Sequence, residues 1–255
     1  MKKYLPLLLF VLIPFFISAQ QKKILFVATN IDSLNGKHNG TYLIEIAFPF
    51  QYFVESGYEV DIVSPKGGRI PLYYKFDTTS QLQKIIIDSL FIKKIYTSRS
   101  PKEIKAKEYC AVFYPGGYGQ FWDVYSNKNI ARLTASIALS GGIIGASGHG
   151  ISSLLSIRTK SKNWFVTGKT ITCFPTWAEK EFMTDANYGA LLPFDMEKEL
   201  KTKDAILKIN IKGTNENAIV VDEKNKIVTA AFADYAELVA KEMHQLILKN
   251  KLSDH

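Results

Sequence analysis

The residues best suited to chemistry lie in one run, Gly141 to Leu155, reading Gly-Gly-Ile-Ile-Gly-Ala-Ser-Gly-His-Gly-Ile-Ser-Ser-Leu-Leu. Small apolar residues typical of a buried parallel strand lead into a Ser147-Gly148-His149-Gly150 corner and then into a helical start. This is the strand-to-helix elbow on which α/β enzymes raise a nucleophile above the sheet. A histidine there can take or give a proton near neutral pH, but the corner holds no cysteine. Ser147 is the nearest hydroxyl. Neighbouring residues at a strand end point to opposite faces, so Ser147 is expected to face away from a pocket at the corner. Gly148 can adopt the positive φ of an elbow without the ~1–3 kcal/mol that strained backbone costs other residues. Cys173, in a strand-like run from Thr170 to Phe174, has two readings: core packing, or a displaced thiolate beside His149. It and Cys110 both read as strand residues, where disulfide geometry is rare, so both are expected to be buried free thiols.

The elements that must position these residues follow from hydrophobic patterning. Lys22 to Thr29 reads as a first strand buried on both faces, Thr41 to Ser56 has helical spacing and is stopped by Gly57, and Tyr58 to Ser64 is a second strand. That βαβ unit predicts a mostly parallel α/β sheet with right-handed crossovers. A helix is expected around Leu82 to Leu90, followed by a lysine-rich segment from Lys93 to Lys107 that offers a partner-binding surface. Cys110 to Tyr114 is a strand running into Pro115-Gly116-Gly117-Tyr118-Gly119. Asn129 to Leu139 is a helix, Trp177 to Met183 another, and Glu197 to Ala205 a polar stretch. Ala218 to Val221 and Lys226 to Ala230 are short strands, and a last helix runs from Tyr235 to Lys249. On residue types alone, Glu45 is a surface acid on an otherwise apolar helix, and the Gly116 loop lacks the spacing of a nucleotide-binding fingerprint.

With 255 residues, 47% of them hydrophobic and 22% charged, the chain suits one globular domain. Lys2 and Lys3 precede an apolar run from Leu5 to Ile17 and a small-residue cut at Ser18-Ala19-Gln20. Residues 1–19 are therefore expected to be a signal peptide and residues 20–255 a single secreted or periplasmic domain with no stable membrane span after processing. Removing Lys2 and Lys3 lowers the formal charge from +8 to +6. The lysines are scattered among acids, which excludes a nucleic-acid footprint. The histidines His38, His149, His244 and His255 lack ligand-like spacing, so neither a metal nor a cofactor is expected.

Several segments, in this order, carry a resemblance: Gly40-Thr41-Tyr42-Leu43-Ile44-Glu45-Ile46-Ala47-Phe48-Pro49; Gly57 to Gly68; Pro115 to Gly119; Gly148-His149-Gly150; and Gly168 to Thr172 with Glu179 and Glu181. From Lys23 to about Leu248 the chain resembles the ThiJ/PfpI superfamily, in its branch of heat-shock protein 31 and cofactor-independent glyoxalase III enzymes. The resemblance implies a three-layer α/β sandwich like the class I glutamine amidotransferases. It also implies a site of glutamate, cysteine and histidine, which fall on Glu45, Gly148 and His149, so the nucleophile is missing. Where relatives often carry histidine this chain has Tyr118. Glu45 is then expected in the pocket. The N–H groups of Gly117 and His149, beside Gly116 and Tyr118, form an oxyanion-type nest. His149 either shuttles a proton or only bonds within its turn. Two functions follow: a degenerate relative that binds a small carbonyl or carboxylate compound or holds unfolded proteins under stress, or an active lyase or hydrolase using Glu45 and His149. A homodimer is compatible with either.

Overall fold

The computed structural model describes residues 23–74, 76–186 and 192–253. The expected leader and His255 lie outside them. Six strands form the central sheet: β1 (Lys23–Val27), β2 (Glu59–Val63), β3 (Tyr109–Tyr114), β4 (Ile143–Ser147), β5 (Ile219–Asp222) and β6 (Ile227–Ala230). Their order is β5-β6-β4-β3-β1-β2, and every pair is parallel except the β5–β6 hairpin. The continuous apolar runs of β1, β3 and β4 demand cover on both faces, and eight helices take part in it: α1 (Leu43–Glu55), α2 (Ser80–Ile86), α3 (Ser89–Tyr96), α4 (Lys128–Leu139), α5 (Ile151–Leu154), α6 (Thr176–Ala186), α7 (Met196–Thr202) and α8 (Ala236–Ser253). Residues of α1, α2, α3 and α8 share one hydrophobic layer with Ile24, Phe26 and Phe113. Residues of α4, α5, α6 and α7 share the other with Leu25, Val112 and Ile144. This is the three-layer sandwich with a mostly parallel sheet. None of the described helices is long and apolar enough to cross a membrane.

Four local expectations change. The helix over Leu82 to Leu90 is two helices, because the Asp88 carboxylate caps α3 by accepting the N–H groups of Leu90 and Phe91 at 2.9 Å and so breaks the run. The lysine-rich segment begins inside α3, and Lys94 turns inward to Asp61, which is only 6% exposed. Lys94 Nζ at 2.6 Å, the Tyr109 hydroxyl at 2.8 Å and Arg99 Nη1 at 3.4 Å all donate to that carboxylate. Part of the expected basic surface is therefore an internal ion cluster. The polar stretch from Glu197 is helix α7, capped by Asp195, whose side chain accepts the Lys198 N–H. The strand over Thr170 to Phe174 shrinks to Thr170–Ile171, paired with Ile206–Leu207 outside the central sheet. Beyond it the Thr172 N–H donates to the Thr229 hydroxyl at 3.0 Å instead of to a ladder carbonyl.

Candidate functional site

At the carboxyl ends of β3 and β4, where ligands bind in open α/β sheets, three loops meet the start of α1. Thr41–Tyr42 pairs with Leu72–Tyr73, and the Tyr42 N–H donates to the Gly116 carbonyl at 3.0 Å. These bonds fasten the first turn of α1 to the loop after β3 and aim Glu45 inward. Its neighbours Leu43, Ile44, Ile46 and Ala47 are buried and Glu45 itself is 3% exposed, so the surface-acid reading is wrong. The carboxyl lies against Gly116 and Gly148: a Cβ on Gly148 would stand 2.7 Å from Glu45 Oε1, and one on Gly116 would collide with Oε2. Gly148 has φ +50°, the left-handed value the elbow requires.

Ser147 is fully buried and does not line the cavity at the corner, as expected, but it lies behind the cavity against Glu45. Ile144 and Ala146 of β4 enter the α4/α5 layer and Ile143 the α1/α8 layer, so Ser147 shares the face from which Glu45 arrives. The Ser147 hydroxyl lies close enough to stabilise the charged carboxyl, yet neither Ser147 Oγ nor Glu45 Oε1 has a well-aligned hydrogen-bond partner. Burial pushes the Glu45 carboxyl up to about 7, against the opposing pull of Ser147, the His149 charge and the Gly116 N–H.

His149 follows on the 3-10 turn Gly148–Gly150. Its ring does not bond within that turn. Nε2 meets Glu179 Oε2 on α6 at 2.7 Å, with both residues buried. A carboxylate there fixes the hydrogen on Nε2. The Tyr118 hydroxyl donates to the other oxygen, Glu179 Oε1, at 3.3 Å. The imidazole packs against the rings of Tyr118 and Phe174, with ring centres 4.4 and 4.7 Å away. Burial pulls the imidazole pKa down, but the Glu179 charge and hydrogen bond, aided by Glu45, outweigh it and hold it above the ordinary value.

Glu45, Gly117, Tyr118, Gly148 and His149 line one cavity of about 270 Å³. Gly116 does not line it and acts from behind, through its backbone, on Glu45 and Tyr42. Cys173 is fully buried, lines no part of the cavity, and burial raises its thiol well above the ordinary value, so it offers no displaced thiolate. Cys110 is only partly buried, and neither cysteine is joined in a disulfide. Among the described residues no three His, Cys, Asp or Glu side chains gather as a metal site. Among the described lining residues there is no lysine or arginine. A larger groove of about 920 Å³ along α4 includes none of these residues.

Glu179 had appeared only as one mark of the resemblance. It stands 30 residues from His149, and nothing in local spacing announces their meeting. Asp234, at the mouth of the cavity, was also missed.

A carboxyl whose pKa rises from 4.5 to about 7 on folding costs stability as pH rises through that window, because only the unfolded chain ionises freely there. Glu45→Gln removes that cost. Urea unfolding should show the variant more stable by about 3 kcal/mol at pH 8.5 and nearly equal to the parent at pH 4.5.

The DJ-1/PfpI family profile matches residues 37–246. The glutathione-independent glyoxalase HSP31 of Saccharomyces cerevisiae is 29% identical over 165 residues, 60% of this chain and 68% of that protein. Two further S. cerevisiae relatives match over 64% of their length. Among solved structures, the Rapid Encystment Protein 24 kDa of Francisella tularensis is 27% identical, with a TM-score of 0.77 over 89% of this chain and 99% of that one. Glyoxalase III of Candida albicans superposes with a TM-score of 0.77 over 89% and 98% of the two chains; at 20% identity this shows the shared fold. The fold is thus the class I glutamine amidotransferase-like one.

Proposed function

Because the chain belongs to the DJ-1/PfpI family, and its relatives include a glutathione-independent glyoxalase, we propose that it binds a small carbonyl compound of the 2-oxoaldehyde type in an acid–base site that has lost thiol chemistry. One observation carries this reading: a buried Glu45 carboxyl, raised to about 7 and unsatisfied at Oε1, shares a cavity with the Glu179-paired His149 and with no thiol. In its protonated form Glu45 donates a hydrogen bond to a carbonyl or hydrate oxygen. The N–H groups of Gly117 and His149 are the donors suited to a second oxygen. Without a sulfur no hemithioacetal forms, so the ligand is held and polarised rather than carried through the thiol route. Export by residues 1–19 is part of the proposal, and N-terminal sequencing of the secreted chain tests it.

The measurement is ligand-observed NMR of methylglyoxal with the purified protein, alongside a lactate assay. Binding is expected to weaken about tenfold in Glu45→Ala, the loss of one good hydrogen bond, with lactate formation no faster in the parent than in that variant. Lactate turnover at the level of a cysteine-bearing family member overturns the proposal. Turnover that persists after iodoacetamide and disappears in Glu45→Gln would support the second reading, an acid–base lyase, which the poise of Glu45 near neutrality favours.

A further inference from the structure

The cavity has a feature that hydrogen bonding to a carbonyl leaves unused. Aromatic rings make up much of its wall. Tyr42 packs on Tyr73 with ring centres 6.0 Å apart, Phe174 on Phe232 at 5.7 Å, and Phe76, 58% exposed, stands at the rim. Asp234 is exposed at the same rim and raises Glu45 by its charge. Among the described lining residues the cation is His149, and Glu179 already balances it at 2.7 Å. Among these described residues the balance of charge is therefore negative, and the walls are largely aromatic. Such surfaces attract an ammonium group by about 0.5–2 kcal/mol for each well-placed ring, more when water is excluded. They repel a carboxylate, which turns the sequence expectation of a carbonyl or carboxylate ligand towards the opposite charge.

We propose, resting on the small-carbonyl reading above, that the ligand is cationic: an aldehyde or ketone bearing an ammonium or quaternary ammonium group, with its carbonyl at Glu45 and its cation among Tyr42, Tyr73, Phe76 and Asp234. The cavity of about 270 Å³ accommodates a compound of this size. The buried, unsatisfied Glu45 Oε1 gives the carbonyl end a partner, and the rings at the rim give the charged end one without a fixed hydrogen-bond geometry.

The test compares three probes by calorimetric titration of the full chain: betaine aldehyde, its uncharged isostere 3,3-dimethylbutanal, and glyoxylate. The first two differ in shape only by nitrogen for carbon, so their ratio reads charge. Betaine aldehyde is expected to bind about tenfold more tightly than the isostere, and glyoxylate most weakly. Asp234→Asn should reduce the ratio to about threefold, and Phe76→Leu should also reduce it, since a leucine keeps the apolar surface without the ring quadrupole. If the isostere binds as tightly as betaine aldehyde, or glyoxylate binds best, the cationic inference fails while the carbonyl site stands. If none of the three binds while methylglyoxal does, the cationic inference fails and the carbonyl site stands; if methylglyoxal fails as well, both fall together.

Discussion

Gly148→Cys is expected to raise methylglyoxal turnover about 100-fold above the parent protein, the lower range for a positioned proton-transfer site given its nucleophile, and to cost about 1–2 kcal/mol of stability. The cost follows from φ +50° at residue 148, which an L side chain adopts only with strain of that size. The new Cβ would meet Glu45 Oε1 at 2.7 Å. That atom is the end of a flexible side chain, so the carboxyl can rotate aside and remain beside the sulfur. There it is placed to take the thiol proton, and the positive charge favoured on His149 supports the thiolate. The thiolate adds to the aldehyde carbon while Glu45 returns the proton to the carbonyl oxygen; the regenerated carboxylate then takes the carbon-bound hydrogen and delivers it to the neighbouring carbon, and water cleaves the resulting acyl–sulfur bond to release lactate. Gly148→Ala serves as the control, with the same backbone strain, no sulfur and no gain in turnover. A folded Gly148→Cys protein whose thiol reacts with iodoacetamide yet forms no lactate would show that residue 148 is not the nucleophile position.

What the sequence discloses and what it conceals divide along a physical line. The elbow, the βαβ opening and the approach of Glu45 were legible because each is a local pattern, or a set of segments in fixed order, tied to one architecture. That Ser147 stays out of the cavity was legible from strand alternation, but its contact with Glu45 was not, because the layer from which Glu45 enters depends on the crossover of α1 and not on β4. Cys173 looked like a strand residue because apolar runs do not reveal whether their backbone joins a ladder or ends on a side chain such as Thr229. Glu179 and Asp234 were invisible as site residues for another reason. An acid on a first helical turn looks like a solvated one until tertiary packing sets it against a ring or a cavity, as α6 does for His149.

Glu179→Ala is expected to be the most destabilising single substitution in the site, at about 3–5 kcal/mol, because it leaves a buried imidazole and the Tyr118 hydroxyl without their common acceptor. The pH dependence distinguishes lost charge from lost packing. In the parent, His149 titrates above its unfolded value of 6.5. Its stabilising contribution is therefore complete below pH 6.5 and declines as pH rises through the folded pKa. Without the Glu179 carboxylate, burial becomes the larger influence on the ring, and the folded pKa drops below 6.5. The slope then reverses: the variant is further destabilised on acidification, because only the unfolded chain accepts the proton freely. Glu179→Gln keeps the volume and a carbonyl acceptor but no charge, so it should show the same reversal with a smaller loss, about 2 kcal/mol. Urea midpoints at pH 5.5 and 8.5, together with the His149 ring-proton shift in NMR, read both quantities. A parent-like slope in Glu179→Gln would mean that the carboxylate positions the ring without setting its charge. In that case the His149 proton is not held by Glu179, and the acid–base capacity of the cavity rests on Glu45 alone.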